Sequence, residues 1–234
     1  MHERDGPQIV GAMASDQVEQ MAFGPLTVTF DSSVLRPRPW TSAQGEWAAD
    51  LVLSGAAPDG PLLELCSGAG QIGLLAAVRS RRPLLQIDAS QPACRFARAN
   101  ADAAGVGVAE RVSIRCAPFE QALDEDERFA VVIADPPYIP TSEIGRFPKD
   151  PRTAIDGGSD GLQVLDACLQ TAADHLLPGG HILVQVRGQS QAERLSVLCP
   201  GLEVAEVRTY GRDRAVARLL RGGGGAATTA SAAR

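Results

Sequence analysis

The middle of the chain alternates short apolar runs with segments of helical periodicity, and this alternation constrains the fold more than any other feature. Buried strands are predicted at residues 62–65, 84–87, 112–115, 129–134 and 181–186, helices at 71–78, 90–104 and 161–177, and two weaker strands near 202–208 and 213–220. Apolar strands separated by helices are typical of a mostly parallel sheet that is covered on both faces. The chain is therefore predicted to be an α/β protein whose ligands bind at the carboxyl ends of the strands.

The segments that flank this alternation are interpreted separately. Residues 1–22 are polar and unpatterned and predict a mobile N-terminus, while the low-complexity residues 222–234 predict a disordered tail. Residues 23–35 are interpreted as a β-hairpin that turns at Asp31 and Ser32. Residues 41–53 have helical spacing and would begin at a cap. The folded domain is thus expected to span residues 23–221.

Composition excludes several classes of function. With 22 Lys and Arg against 28 Asp and Glu, the net charge of −6 argues against sequence-independent binding to nucleic acid. The five cysteines are widely spaced and form no CxxC pair, and the three histidines form no metal motif. These features predict a reducing, cytoplasmic location and no metal. No apolar run approaches the length of a membrane span, so no membrane association is expected.

A glycine-rich turn follows the first predicted strand of the sheet. The sequence LLELCSGAGQIG contains GxGxxG over residues 68–73, and Asp88 follows at the end of the next strand. Such a turn lets the backbone approach a nucleotide, while the acid can hold ribose hydroxyls. Glu64 is expected at the mouth of the strand, where it would repel a pyrophosphate and attract sulfonium and ammonium groups. This favours S-adenosylmethionine over a dinucleotide, and a nucleotide-dependent oxidoreductase is kept as an alternative.

A second turn, DPPY at residues 135–138, follows the strand FAVVIA. The two prolines cannot extend the ladder and make the backbone rigid, and Pro137 has no N–H that would occupy the Pro136 carbonyl. The Asp135 carboxylate and the Pro136 carbonyl can accept both hydrogens of a planar –NH₂ group, and Tyr138 can pack on its flat face. Amide and exocyclic amine nitrogens are poor nucleophiles, so this arrangement would favour their methylation by orientation and electrostatics.

Together, these motifs resemble the HemK/PrmC group of protein-glutamine N5-methyltransferases, which modify the Gly-Gly-Gln glutamine of peptide release factors. The similarity covers residues 23–219 and includes VLRPRPWTSA at residues 34–43 and DPRTAIDGGSDGL at residues 150–162, besides the two turns. The last two strands of the group are matched by LLPGGHILVQV and YGRDRAVARL. The resemblance implies a Rossmann-like class I methyltransferase fold with a seven-stranded, mostly parallel sheet.

The resemblance, together with the charge and position of single residues, indicates the residues of the site. The predicted contacts of S-adenosylmethionine are Glu64, Cys66, Ser67, Gly68, Ala69, Gly70, Asp88, Ala117 and Pro118. The glutamine amide would be held by Asp135, Pro136, Pro137 and Tyr138. Arg36 and Arg38 are interpreted either as a rim on the substrate side or as part of a solvated loop. Cys66 is interpreted as a small spacer because nothing near it in the sequence would activate a thiolate.

Four departures from the group bear on the substrate. Asp135 replaces an Asn and is typical of methylases that act on adenine or guanine amino groups. No acid follows the third strand, where the sequence reads CAPF at residues 116–119, and the late E-x-G motif becomes QVRG at residues 185–188. The N-terminal helical domain of bacterial members has no counterpart in the 22 residues that precede the hairpin. Relatives that lack this domain work with a small zinc-binding protein, so an activating partner is one expectation.

The sequence is compatible with more than one substrate. A glutamine amide of a release factor is the leading interpretation, an RNA base or a small-molecule amino group is the first alternative, and a non-catalytic scaffold is the second. Residues 138–158 show no obvious secondary structure and are expected to close over the substrate. Arg146, Lys149 and Arg152 in this segment form a basic cluster that could meet RNA or an acidic protein surface, or could simply be solvated. Trp40 and Trp47 lie on one helical face and are expected to pack in the core or in a lid.

Overall fold

The computed structural model describes residues 17–222. The predicted mobile N-terminus and disordered tail fall largely on residues 1–16 and 223–234, which lie outside the described residues. Within residues 17–222, no helix combines the length and the apolar character that a bilayer span needs.

A two-stranded antiparallel hairpin precedes the main sheet, at a different place from the predicted one. Its strands are β1 (Glu19–Phe23) and β2 (Leu26–Phe30), so the hairpin begins before the predicted boundary at residue 22. The prediction of a turn at Asp31 and Ser32 is wrong, because the alternating run that starts at residue 26 is the second strand rather than the first. Asp31 instead accepts a hydrogen bond at 2.8 Å from the backbone N–H two residues later, which ends the strand.

Seven strands form the main sheet, and their bounds follow the apolar runs of the sequence. They are β3 (Leu62–Leu65), β4 (Leu84–Asp88), β5 (Val112–Cys116), β6 (Phe129–Ala134), β7 (Leu176–Val186), β8 (Leu202–Thr209) and β9 (Ala215–Arg221). The order across the sheet is β5-β4-β3-β6-β7-β9-β8. The pairing is parallel from β5 to β7, and β9 runs antiparallel to both β7 and β8. The predicted mostly parallel, seven-stranded sheet is confirmed.

Helices cover both faces of this sheet. They are α1 (Ser42–Leu53), α2 (Gln71–Ser80), α3 (Gln91–Ala103), α4 (Val106–Ala109), α5 (Arg152–Ile155), α6 (Gln163–Asp174), α7 (Gly188–Ala192) and α8 (Leu195–Leu198). One buried apolar cluster joins the hairpin, α1, α2 and α3 to the sheet, and a second joins α6 and α7 to its other face. Leu62 packs in the first cluster and Leu63 in the second, as the alternation of side chains along a strand requires.

The boundary between α6 and β7 differs from the prediction. The helix was expected to continue to residue 177 and to stop at Pro178, but α6 ends at Asp174 and the strand begins at Leu176. The pairing with β6 is irregular here, because the register shifts between Phe129 and Val131. The Pro-Gly-Gly segment therefore forms an irregularity inside β7, and does not separate helix from strand.

Candidate active site

A cavity of about 560 Å³ lies at the carboxyl ends of β3 and β4. Its walls come from the glycine loop at residues 66–69, from the start of α3 and from the segment that follows the hairpin. This is the edge of the sheet at which α/β folds bind their ligands. The predicted site residues that line this cavity are Arg36, Arg38, Cys66, Ser67, Gly68, Ala69, Asp88, Pro118, Asp135 and Pro137.

Asp88 is held toward this cavity by the backbone. Its Oδ2 accepts the N–H of Gly68 at 2.8 Å, and its Oδ1 accepts the N–H of Ser90 at 2.8 Å. Burial raises the pKa of Asp88, while these two backbone hydrogen bonds oppose the rise. A carboxylate has about four acceptor positions, so Asp88 retains capacity for the two hydroxyls of a ribose.

The glycine loop is anchored from behind by a buried amide. Asn100 on α3 donates from Nδ2 to the carbonyl oxygens of Ala69, at 2.9 Å, and of Thr29, at 3.0 Å. Its Oδ1 accepts the N–H of Thr29 at 2.8 Å. One side chain thus ties the loop to α3 and to the second strand of the hairpin, a role that no motif in the sequence indicated.

Glu64 lies behind the loop and not at the mouth of the strand. It is 1% exposed, its Oε2 accepts the Gln86 amide at 2.6 Å, and a Cβ at Gly73 would lie 2.5 Å from the same oxygen. Burial raises the pKa of Glu64 to about 8, so this carboxyl is largely protonated at pH 7. Glu64 does not line the cavity, and its contact with the cofactor stays a prediction that this burial does not support.

Gly70 and Ala117 were also predicted to contact the cofactor, but they lie behind the residues that line the cavity. The Gly70 carbonyl accepts the Gln86 amide at 2.7 Å, and the Ala117 N–H donates to the Asp88 carbonyl at 3.1 Å. No acid directly follows β5 in the sequence. An acid a few residues further along, Glu120, lines the cavity together with Phe119. Phe119 stands in the CAPF segment itself, so its position after a parallel strand could have identified it.

A second cavity of about 520 Å³ lies on the other side of the DPPY turn. It is lined by all four residues of that turn, and Asp135, Pro137 and Arg38 also line the first cavity. Within residues 17–222 the Asp135 side chain makes no hydrogen bond or ion pair. Burial raises the pKa of Asp135 to about 7, and the positive charge of Arg38 opposes this rise. An unpartnered carboxyl group therefore stands where the two cavities meet.

The DPPY turn rests on the glycines of the GGSDGL segment. A Cβ at Gly157 would lie 2.6 Å from the Pro137 carbonyl oxygen, and one at Gly161 would lie 2.5 Å from that of Tyr138. Ile139 also donates its N–H to Ile155 at 3.0 Å. The two motifs that are far apart in the sequence thus form one packed unit, in which backbone contacts backbone.

The segment at residues 138–158 is more structured than predicted. It contains a 3₁₀ helix (Thr141–Arg146) and α5, and an isolated bridge pairs Ile139 with Asp156. The predicted basic cluster is partly neutralised: Arg146 pairs with Glu143 at 2.8 Å and Arg152 with Asp156 at 3.2 Å.

The two predicted rim arginines make different contacts. Arg36 pairs with Glu19 at 2.5 Å, with its guanidinium 5.0 Å from the centre of the Phe30 ring, and it lines only the first cavity. Arg38 donates to both carboxylate oxygens of Asp150, at 2.8 and 3.0 Å, and borders both cavities. Only Arg38 is therefore placed beside Asp135.

The two tryptophans also take different positions. Trp47 is 3% exposed and carries the Arg208 guanidinium 3.7 Å from its ring centre, as expected for core packing. Trp40 packs on Tyr210 with ring centres 5.6 Å apart, and both line the second cavity.

The strand order, the glycine loop at the end of β3 and the DPPY turn at the end of β6 define a class I methyltransferase fold. A solved ribosomal protein L11 methylase from Lactobacillus delbrueckii subsp. bulgaricus has the same fold, with a TM-score of 0.58 at 13% identity over 82% of this chain and 83% of that chain. The predicted fold class is confirmed.

Sequence relatives identify the family that the chain resembles. The chain is 34% identical to the release factor glutamine methyltransferase of Mycolicibacterium smegmatis, over 70% of this chain and 58% of the relative. It is 32% identical to the release factor glutamine methyltransferase of Caulobacter vibrioides, over 82% of this chain and 66% of the relative. A family model described as conserved hypothetical protein 95 matches residues 43–145. The resemblance to the HemK/PrmC-type methyltransferases is confirmed, and the chain spans about 60% of the length of such relatives.

Proposed function

We propose that this protein is an S-adenosylmethionine-dependent N-methyltransferase that modifies the side-chain amide of a glutamine in a protein, with a peptide release factor as the substrate. One observation carries this proposal: Asp135, which has no hydrogen-bond or ion-pair partner in the described part of the chain, is a carboxyl group at the junction of two cavities. One cavity has the features of a nucleoside site and the other is lined by the DPPY turn. The names of the sequence relatives supply the substrate class.

The residues of the first cavity fit S-adenosylmethionine. Space is open next to Gly68, where a Cβ would meet nothing within 4 Å, so a ligand can approach the loop closely. Asp88 would accept the ribose hydroxyls, and Pro118 and Phe119 offer apolar surface to an adenine ring. When bound, the cofactor supplies an electrophilic methyl group next to a sulfonium charge.

The second cavity would hold the substrate amide. The Asp135 carboxylate and the Pro136 carbonyl would each accept one amide hydrogen, and Tyr138 would pack against the amide plane. This arrangement directs the nitrogen lone pair across the junction toward the first cavity. An anionic Asp135 would also stabilise the positive charge that develops on the nitrogen, so the catalytic contribution is orientation together with electrostatics.

The five cysteines, all unpaired in the structure, favour a reducing compartment, and we expect the reaction in the cytoplasm. The need for a small activating protein is tested by measuring the rate of methyl transfer from S-adenosylmethionine. Addition of a lysate fraction to the purified protein would reveal a partner as an increase in the rate of transfer.

Label transfer from methyl-labelled S-adenosylmethionine tests the proposal. The substrate is a release factor purified from cells that cannot methylate it, and the matched control is the same factor with its target glutamine replaced by alanine. Label in the first factor alone is the expected result. Label that appears only with cellular RNA, and that ribonuclease removes, would overturn the proposal in favour of a base amino group, the substrate that Asp135 in place of Asn also suits.

A further inference from the structure

We propose that Gln185 binds the substrate, by presenting a hydrogen-bond acceptor in the second cavity to an N–H of the substrate other than the reacting amide. This inference rests on the function proposed above and adds a binding residue to it. For a glutamine within a protein, such a donor is a main-chain N–H of the segment that carries the glutamine.

The argument begins with the orientation of a neighbouring side chain. Gln44 on α1 is fully buried, and its Nε2 lies 3.1 Å from the Ala134 carbonyl oxygen and 2.9 Å from that of Leu183. Backbone carbonyls can only accept hydrogen bonds, so the –NH₂ of Gln44 must face them. Its Oε1 then points the other way, and the orientation of this amide follows from its partners.

The orientation of Gln185 follows from that of Gln44. Gln185 lies on β7, is 1% exposed and approaches the Gln44 Oε1 at 2.6 Å. Because that oxygen can only accept, the Gln185 amide must turn its Nε2 toward it. The Gln185 Oε1 is therefore directed away from Gln44.

This oxygen has no hydrogen-bond partner within residues 17–222. Gln185 lines the second cavity together with Asp135 and Pro136, whereas Gln44 lines neither cavity. Of these two amides only that of Gln185 borders the cavity, and we place its free, buried Oε1 on the cavity side of the pair. A buried acceptor without a donor is unfavourable, so a substrate N–H that reaches it gains the full benefit of the hydrogen bond.

The two hydrogens of the reacting amide are already assigned to Asp135 and the Pro136 carbonyl. The donor for Gln185 must therefore be a further group of the substrate. Such a contact is made equally in the bound substrate and during transfer, so its loss raises KM and leaves kcat unchanged. Loss of Asp135 should act on kcat, which separates the two roles.

The test measures KM and kcat for methylation of an unmethylated release factor by Gln185→Met. We expect KM to rise by about fivefold or more, which is the effect of one hydrogen bond to a neutral donor, with kcat within about twofold of the wild type. Gln170→Met is the matched control, because Gln170 lies on α6, lines neither of the two cavities and donates a hydrogen bond to the Leu198 carbonyl at 3.3 Å.

Gln185→Met also leaves the Gln44 Oε1 without its donor, so each variant is first checked for S-adenosylhomocysteine binding and for its melting temperature. Gln185→Ala is the second variant, since a water molecule can then donate to Gln44. An unchanged KM in either folded variant overturns the inference while the proposed function stands. A wild-type protein that transfers no methyl group to the release factor overturns both.

Discussion

Gly161 lies directly against Tyr138: a Cβ at Gly161 would stand 2.5 Å from the Tyr138 carbonyl oxygen. Gly161 also has a φ of +75°, a conformation that other residues adopt at a cost. The contact holds the end of the DPPY turn against the loop that begins α6. The position of the turn thus depends on the absence of a side chain on a residue more than twenty positions away in the chain.

The first prediction concerns this contact. Gly161→Ala should displace the DPPY turn and lower the melting temperature by about 4 °C or more, because strain and overlap with the backbone cost about 2 kcal/mol. Methyl transfer should fall further than S-adenosylhomocysteine binding. Gly145→Ala is the control, since a Cβ there meets nothing within 4 Å. Equal behaviour of the two variants in calorimetry would contradict the packing argument.

The second prediction separates the two cavities. Asp135→Ala should abolish methyl transfer, because the amide loses its acceptor, while the Kd of S-adenosylhomocysteine changes by less than about fivefold. Asp135→Asn keeps an acceptor oxygen and should retain measurable transfer to an amide substrate. Calorimetric titration and label transfer on the same preparations check both statements. Parallel losses of binding and transfer in the Ala variant would place Asp135 in the nucleoside site instead.

A third prediction follows from the pKa of Asp135, which burial raises to about 7. The carboxyl is protonated below this pH and anionic above it, so the rate should increase as pH rises through about 7. Asp135→Asn cannot titrate and should lose this increase. Arg38→Gln removes the charge that opposes the rise in pKa and should move the midpoint to higher pH. Arg36→Gln is the comparison, and an identical midpoint in both arginine variants would contradict the role of Arg38.

The fourth prediction concerns stability and Glu64. Burial raises the pKa of Glu64 from 4.5 to about 8, so the folded chain keeps a proton that the unfolded chain releases. The stabilisation is complete below pH 4.5 and is lost progressively as pH rises to about 8. Glu64→Gln cannot ionise, so its melting temperature relative to the wild type should increase between pH 5 and pH 8. A constant difference across that range would show that Glu64 is ionised in the folded protein.

The fifth prediction tests the nucleoside site. Asp88→Ala removes both the acceptor for ribose and the hydrogen bond to the Gly68 N–H. The affinity for S-adenosylhomocysteine should fall by about tenfold or more, as expected for the loss of hydrogen bonds to a charged group. Asp102→Ala, on the exposed face of α3, is the matched acid and should bind normally. Equal affinity in the two variants would exclude Asp88 as a ribose ligand.

Much of the fold could be read from local patterns. The strands at residues 62–65 and 129–134 were predicted within their observed bounds, since a strand that is covered on both faces is mostly apolar. Ser90 was placed as a helix cap, and its Oγ accepts the Ala93 N–H at 3.4 Å. The predicted position of the hairpin is wrong because alternation identifies a strand but does not reveal whether its pairing partner precedes or follows it in the chain.

Residue type and spacing alone determined that this chain forms a mostly parallel sheet with a glycine loop after its first strand and a rigid acid-proline-proline-tyrosine turn after its fourth. These features are local, because each depends on the backbone preferences of a few consecutive residues. Only the tertiary structure decided that Glu64 is buried with a raised pKa, that Asn100 anchors the glycine loop and that the Gln185 Oε1 is buried without a partner among the described residues. Burial, pKa and hydrogen-bond partners are properties of the neighbours that folding brings together, and those neighbours are distant in the sequence.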